Sequence, residues 1–280
     1  MSEAPTADLP DYAPMLAAYH RGFARQLRRM IAALPIRTGM RVLDMACGDG
    51  AYTVWLAERV GPTGEVVAVD IDPAFLARAK ESAAASNIAA PVLHVAAPLE
   101  ALPFEPATFD VIWCAQSLYS LPDPLETLRT LRPLLRPGGH LAVLENDTLH
   151  HLLLPWPVEI EIALRAHEYR ALAEESGHPR KYYAARELAR LFRSAGYADV
   201  RFRTYATDLR GPLAGDVRTF VAEYLRDLGD RVGPRLDPAT RRDLERLVDP
   251  ASEDYLLDDP DFLATCLDRV VFGAAPERTA

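Results

Sequence analysis

The run Val42–Gly50, VLDMACGDG, constrains this chain more than any other feature. A short apolar strand, Arg41–Met45, passes into a loop with two glycines, and a helical pattern, Ala51–Val60, starts at once behind it. Gly48 and Gly50 permit a sharp turn and the close approach of another group to the backbone. The helix behind them presents unpaired N–H groups at its start. Twenty residues after Gly50, Asp70 closes the next strand, Glu65–Asp70. A carboxylate at that position can accept the paired hydroxyls of a ribose. Two features speak against a dinucleotide. Thr53 stands where G-x-G-x-x-G needs its third glycine, and Asp44 and Asp49 flank the loop. Carboxylates at close range repel a pyrophosphate, so a nucleoside carrying positive charge suits the loop better.

Around this loop, short apolar runs alternate with helical patterns. A helix is expected from Pro73 to about Ala85, a strand at Val92–Val95, another at Phe109–Cys114 and a helix at Pro124–Leu135. Arg136–Gly139 reads as a turn and His140–Glu145 as a fifth strand. Such alternation predicts an α/β fold whose parallel sheet is covered on both faces, and right-handed crossovers make it doubly wound. Past Asn146 the rhythm breaks. Helices are expected at His150–Ala173, Ala184–Ala195 (stopped by Gly196), Asp216–Leu228 and Pro238–Val248, with strands at Asp199–Tyr205 and Leu267–Gly273. Residues 1–14 read as a frayed arm. Met15, Tyr19, Phe23, Leu27, Met30, Ile31 and Leu34 then recur at helical spacing, predicting one amphipathic helix. Arg21, Arg25, Arg28 and Arg29 lie mostly off its stripe, as a solvated face. The expected division is an arm and lid helix over 1–38, a sheet core over 39–149, and helical lid insertions plus completion of the sheet over 150–280.

Composition narrows the partners. The 280 residues suit one large domain or a domain with a lid. Forty acidic against 31 basic residues leave a net charge of -9, which does not draw a chain to phosphate backbones or anionic lipid. No nucleic-acid-binding module is recognisable, so nucleic acid is not an expected partner. Cys47, Cys114 and Cys266 are too few and too scattered for a disulfide framework or zinc site. No apolar run reaches the ~18 residues of a membrane span, and the acidic, Pro-rich start is unlike a targeting peptide. The expectation is a cytoplasmic protein with a small-molecule partner, with a homodimer allowed for.

Five segments, in order, resemble the class I S-adenosylmethionine (SAM)-dependent methyltransferases. VLDMACGDG is similar to their first motif, [D/E]-x-G-x-G-x-G, with Ala46 at the usual first glycine. VVAVDIDP (Val66–Pro73), LEALPFEPATFDVIWCAQSLYSLPDP (Leu99–Pro124), LRPLLRPGGHLAVLE (Leu131–Glu145) and ELARLFRSAGYADVRF (Glu187–Phe202) match later motifs. The resemblance implies a doubly wound, mostly parallel seven-stranded sheet with a helical lid, SAM as cofactor and S-adenosylhomocysteine as product. By it, Asp44 and the backbone of Ala46, Cys47 and Gly48 hold the methionine end, which Tyr19 closes over. Asp70 takes the ribose hydroxyls, Ile71 packs on adenine, and Cys114, Ala115 and Gln116 end the fourth strand beside the sulfonium. Relatives often carry an acid for the adenine amino group where Pro98 stands here, after Ala96 and Ala97. That leaves backbone groups at Ala97 and Pro98, or Glu100, for the task.

The resemblance implies transfer of a methyl group to a small organic acceptor, at oxygen first and carbon or nitrogen next. Such a transfer needs alignment above all, and a base where the acceptor carries a proton. His150 and His151, which follow the fifth strand, lead the candidates, with Tyr119, Glu145 and His20 behind them. No metal is expected. The apolar residues at Leu152–Leu154 and Trp156–Ile162, with Tyr182 and Tyr183, suit an enclosed acceptor pocket. The alternatives are a SAM-binding enzyme of the same fold catalysing a non-methylating reaction such as cyclisation, and a non-catalytic SAM-binding regulator.

Overall fold

In a computed structural model of the chain, which describes residues 9–121, 123–149 and 151–277, one mixed sheet organises the molecule. Its parallel part is β1 (Arg41–Met45), β2 (Glu65–Asp70), β3 (Val92–Ala96), β4 (Phe109–Ala115) and β5 (Leu135–Glu145), in the order β3-β2-β1-β4-β5. Register pairs Asp44 with both Ala68 on β2 and Trp113 on β4. Two long antiparallel strands, β7 (Ala198–Arg210) and β8 (Leu263–Ala274), extend it, with β8 against β5 and β7 at the outer edge. An eighth strand, the two-residue β6 (Leu152–Leu153), pairs β8 beyond the end of β5. The seven expected strands are therefore present, and β6 adds to them.

Alternation along the strands builds a core on each face. Val42, Val111, Trp113, Leu144 and Val270 face α1 (Ala13–Gly22), α2 (Ala24–Ala32), α3 (Ala51–Val60), α6 (Val158–Ser176) and α8 (Gly215–Val232). Leu43, Ile112, Cys114, Val143 and Val271 face α5 (Pro124–Leu131) and α7 (Leu188–Ser194). Two helices complete the fold, α4 (Pro73–Ala85) and α9 (Pro238–Val248). Chain order reverses between β1 and β4, because β2 and β3 build outward on one side and β5 on the other. At such a switch point the loops at the carboxyl ends splay apart and leave a crevice.

Several expected elements differ. The N-terminal helix starts at Ala13, which is buried, so the arm ends before residue 14. It also breaks at Phe23 (φ -105°, ψ 11°) into α1 and α2. At Gly22 an added Cβ would lie 3.1 Å from Val217 Cγ2, so close packing on α8 accompanies the bend. Arg21, Arg25, Arg28 and Arg29 are all exposed, with Arg21 and Arg28 paired to Asp216 and Glu58. The helix expected from His150 starts at Val158, after Pro157. Leu152 and Leu153 alternate buried and exposed as a strand does, and prolines 155 and 157 keep the chain between extended. Helix Pro124–Leu135 ends in a tight turn at Arg132–Leu134, and Leu135 already pairs with Phe109. The expected helix Ala184–Ala195 becomes a 3₁₀ segment, Pro179–Arg186, followed by α7. Among the described residues no helix is long and apolar enough to cross a membrane.

Candidate active site

The crevice is a cavity of about 830 Å³ at the carboxyl ends of β1, β2, β4 and β5. Leu16, Tyr19 and His20 of α1 and Phe220 and Tyr224 of α8 line it together with the strand ends. Ala46, Cys47, Gly48, Asp70, Ile71, Ala97, Pro98, Ala115, Gln116, Tyr19, Tyr119 and His151 all reach this one cavity. His150 lies outside the described residues.

The loop after β1 is held by the acid after β2. Asp70 is 8% exposed; its Oδ2 accepts from Gly48 N at 2.9 Å and its Oδ1 from Asp72 N at 3.0 Å. Ile71 next to it is 70% exposed, an apolar side chain left open beside a carboxylate. The two loop glycines do different work. Gly48 (φ +52°) has room, with an added Cβ 3.6 Å from Leu16 Cδ2. Gly50 (φ +79°) turns away from the cavity toward α4, where a Cβ would lie 2.6 Å from Ala79 Cα. Gly50 thus serves helix packing, and Gly48 alone fronts the cavity. Ala46, at φ +58°, takes a conformation that glycine prefers.

Asp44 does not reach the cavity. It is 1% exposed and accepts a 2.6 Å hydrogen bond from Thr53 Oγ1 on α3. Burial pushes its carboxyl up to about 7, against the Thr53 bond. It ties the end of β1 to α3 and is not among the residues that line the cavity. Cys114 is fully buried on the opposite face and does not line the cavity, because β4 alternates and Cys114 points away where Trp113 points toward α3. Burial pushes its thiol well up.

At the end of β4, Gln116 adopts φ +51°, with its N–H donating to Leu144 O at 2.8 Å. Glu145, 4% exposed, accepts from Ser117 N (2.8 Å) and Leu118 N (2.7 Å). Burial lifts this carboxyl to about 7 against those bonds. Glu145 is therefore the anchor of the loop after β4. Tyr119, on that loop, stacks on Tyr182 with ring centroids 5.8 Å apart. Burial pushes its phenol up, which keeps it a neutral hydrogen-bond donor.

Behind Gln116 lies a network that sequence spacing could not bring together. Tyr19 Oη donates to Asp268 Oδ1 at 2.6 Å. One orientation of the Asn146 amide satisfies its neighbours: its nitrogen donates to Asp268 Oδ1 at 3.0 Å, and its oxygen accepts from His151 Nε2 (2.8 Å) and Gln116 Nε2 (3.1 Å). His151 Nε2 then carries the hydrogen and Nδ1 is the basic nitrogen. Desolvation, helped by the Arg165 charge, lowers His151 to about 4, so the ring is neutral at physiological pH. Burial raises Asp268 to about 6. His151, Cys266 and Asp268 offer metal-type ligand atoms within 4.8 Å of one another. Asp268 Oδ1 and His151 Nε2 are taken up in the hydrogen-bonded network, while Asp268 Oδ2 has no partner among the described residues.

A family model described as a methyltransferase domain matches residues 16–201. The demethylmenaquinone methyltransferase of Staphylococcus aureus is 30% identical over 189 residues, covering 64% of this chain and 76% of that protein. Among solved structures, phosphoethanolamine N-methyltransferase 2 of Haemonchus contortus, in complex with S-adenosylhomocysteine, aligns with a TM-score of 0.53 at 16% identity, over 99% of this chain and 61% of that one. The cyclase SpnF aligns with a TM-score of 0.50 at 20% identity, over 91% and 82%. At those identities the two alignments show a shared fold.

Proposed function

This chain belongs to the class I SAM-dependent methyltransferases, and on that premise we propose that it methylates a hydroxyl oxygen of a small, ring-bearing acceptor, with His151 as the base. The observation that carries the reading is His151 itself. It is a neutral imidazole in the cavity wall, oriented through Nε2 by Asn146, which also holds Gln116 at the end of β4.

The residues present fit an adenosyl cofactor. Asp70 offers its remaining lone pairs beside Gly48, Ile71 offers an open apolar surface for a base, and Gln116 Oε1 is buried without a partner among the described residues. When bound, SAM supplies a methyl group on a sulfonium, an electrophile that asks the protein mainly for alignment. Asp70 binds the ribose hydroxyls and fixes the loop. Gln116, locked through Asn146 and the Leu144 carbonyl, sets the wall at the end of β4. His151 Nδ1 would take the acceptor's hydroxyl proton, and the methyl-to-sulfur bond that breaks would leave the cofactor as neutral S-adenosylhomocysteine. Phe220, Tyr224, Tyr119, Tyr182 and Leu172 supply an aromatic and apolar surround that suits a ring, beside the charged Glu168, Asp227 and Arg231. The name of the Staphylococcus aureus relative, a methyltransferase of demethylmenaquinone, supports a ring-bearing acceptor.

The test is incubation with SAM labelled in its methyl carbon and a panel of hydroxylated aromatic compounds, with the labelled atom located by NMR. Label on a ring oxygen is expected. Label on carbon or nitrogen, or turnover without label transfer, refutes the oxygen reading. His151→Phe should lower kcat by about 100-fold or more while S-adenosylhomocysteine binding stays within about twofold. Because the ring is neutral down to about pH 4, kcat/KM should show no inflection near pH 6–7 from this residue.

A further inference from the structure

A guanidinium from α6 lies against the loop that carries His151. Arg165, with its side chain 10% exposed, places Nη1 3.3 Å from Thr148 O and Nη2 3.5 Å from Leu152 O, two carbonyls on either side of His151. The same Nη1 lies 3.4 Å from Tyr224 Oη on α8, and the Tyr224 ring meets the His151 ring edge to face with centroids 6.3 Å apart. Two carboxylates of its own helix hold the fork in place: Glu161 Oε1 accepts from Nε at 2.8 Å and Glu168 Oε2 from Nη1 at 3.0 Å. One planar group therefore joins α6, the His151 loop and α8. It stands behind the wall, since Thr148, His151, Glu168 and Tyr224 line the cavity and Arg165 does not.

We propose that Arg165 is a positioning residue of the methyl transfer: it braces the His151 loop on both sides and sets Tyr224 against the imidazole, so that Nδ1 keeps one fixed direction toward the acceptor. The inference rests on His151 as the base proposed above. A base must meet its proton within hydrogen-bond reach, and a misplacement of about 1 Å in such a site costs about 100-fold in rate. The strand β6 spans only Leu152–Leu153, so ladder bonds fix little of this loop. The number of acceptors around it explains the residue type. A guanidinium presents five N–H donors in a rigid plane, whereas a lysine ammonium is a point charge on a flexible stem.

The same group governs the charge on the ring. Besides Arg165 on α6, titratable side chains face His151 from three elements: Tyr19 of α1, Tyr224 of α8, and Cys266 and Asp268 of β8. The residue that follows β5, Asn146, does not titrate. Burial pushes Tyr19, Tyr224 and Cys266 up, which leaves them neutral. Asp268, raised to about 6 by burial, is the carboxylate that favours an imidazolium. Arg165 opposes it. Burial works against the charge of the guanidinium, but Tyr224, Glu168 and Glu161 outweigh burial and keep it protonated. Desolvation first, and then this positive charge, hold His151 in the neutral form that can accept a proton.

The test compares Arg165→Lys, which keeps the charge and loses the fork, with Arg165→Met, which loses both. Protein labelled with nitrogen-15 in its histidine rings is followed by long-range proton–nitrogen NMR with S-adenosylhomocysteine present, and His151→Phe assigns the signal. These spectra need no acceptor. The wild type should show one neutral tautomer, with hydrogen on Nε2, from about pH 5 to about pH 8. Arg165→Lys should stay neutral yet give averaged nitrogen shifts, the signature of a ring that exchanges tautomers. Arg165→Met should show the same averaging, and its midpoint should rise by about one pH unit or more. With the hydroxylated aromatic acceptor that labelled SAM identifies, both variants should lower kcat by at least about tenfold while KM stays within about twofold. Thermal melting reports whether each variant is folded. If Arg165→Met does not fold, because Glu168 is left as a buried unpaired charge, the double variant with Glu168→Gln takes its place. A single Nε2–H tautomer or a wild-type kcat in Arg165→Lys overturns the positioning role and leaves the base assignment standing. A wild-type ring that is protonated or averaged near pH 7, or full kcat in His151→Phe, overturns the base assignment and this inference with it.

Discussion

The two glycines of the loop after β1 have separable roles, and alanine tells them apart. Alanine at either position must adopt a left-handed backbone, at φ +52° for Gly48 and +79° for Gly50, which costs about 1–2 kcal/mol. At Gly48 the new methyl meets only Leu16 Cδ2 at 3.6 Å, an ordinary contact. At Gly50 it falls 2.6 Å from Ala79 Cα and 2.8 Å from Ala79 Cβ. Backbone cannot yield as a flexible side-chain tip does, so α3 and α4 must part. Overpacking of that kind adds about 1–3 kcal/mol. Urea unfolding of the ligand-free protein should therefore show Gly48→Ala losing about 1–2 kcal/mol and Gly50→Ala about 2–5 kcal/mol. In thermal scans the Gly50 variant should melt lower by about 5–15 °C. S-adenosylhomocysteine binding should show the opposite ranking, weakened by Gly48→Ala at the cavity wall and near normal in folded Gly50→Ala. Equal stability losses, or Gly50→Ala as the milder change, would refute this division of labour.

Two further outcomes follow from the buried acids. Asp44, raised from its ordinary value of 3.8 to about 7, keeps in the folded state a proton that the unfolded chain releases. Stability should fall as pH rises from about 4 to 7, by up to about 1.4 kcal/mol per pH unit from this group. Asp44→Asn mimics the protonated form, so its urea-derived stability should match the wild type near pH 4 and exceed it at pH 8. Tyr19→Phe removes a donor from Asp268 and should lower stability by about 1–3 kcal/mol, read by urea unfolding. Stability of that variant equal to the wild type would mean that the 2.6 Å bond contributes nothing.

The readable part of the fold was the part in which local pattern and tertiary environment agree. Strand β1, helix α3 and strand β2 lie at Arg41–Met45, Ala51–Val60 and Glu65–Asp70 in both the pattern and the structure, because apolar runs bounded by glycine or acid leave little choice. Asp70 was legible for the same reason, as a lone carboxylate ending an apolar strand. The edge strand β7 was only half legible. Most of Ala198–Arg210 is exposed, so RFRTYATDLR carries no inward apolar alternation, and its length is set by pairing with β8. Leu152–Leu154 resembled a helix start because apolar density alone does not separate helix from strand; the two prolines settle it. Neither Asp44 nor Cys114 is among the residues that line the cavity, for a shared reason. Motif position locates a residue along a strand, but the pleat and the neighbouring helix decide whether its side chain meets the cavity.

The network Tyr19–Asp268–Asn146–His151 joins three distant stretches of chain, so no spacing rule could assemble it. One signal was present. Ala264, Cys266, Asp268 and Val270 occupy the buried positions of β8, and an acid in such a series needs a partner. Its place at the end of the fifth strand makes Glu145 a base candidate, yet the hydrogen bonds it accepts from the backbone N–H groups of Ser117 and Leu118 are invisible in sequence. Its role in shaping the loop emerges only from the fold.

The most direct measurement of the account is calorimetric titration of S-adenosylhomocysteine into the wild-type protein and Asp70→Ala. The wild type should bind one equivalent, and the variant should bind at least about 30-fold more weakly, because the carboxylate that secures Gly48, and that is proposed to take the ribose hydroxyls, is gone. Undiminished binding by a folded Asp70→Ala protein would contradict the placement of the cofactor at the carboxyl ends of β1 and β2.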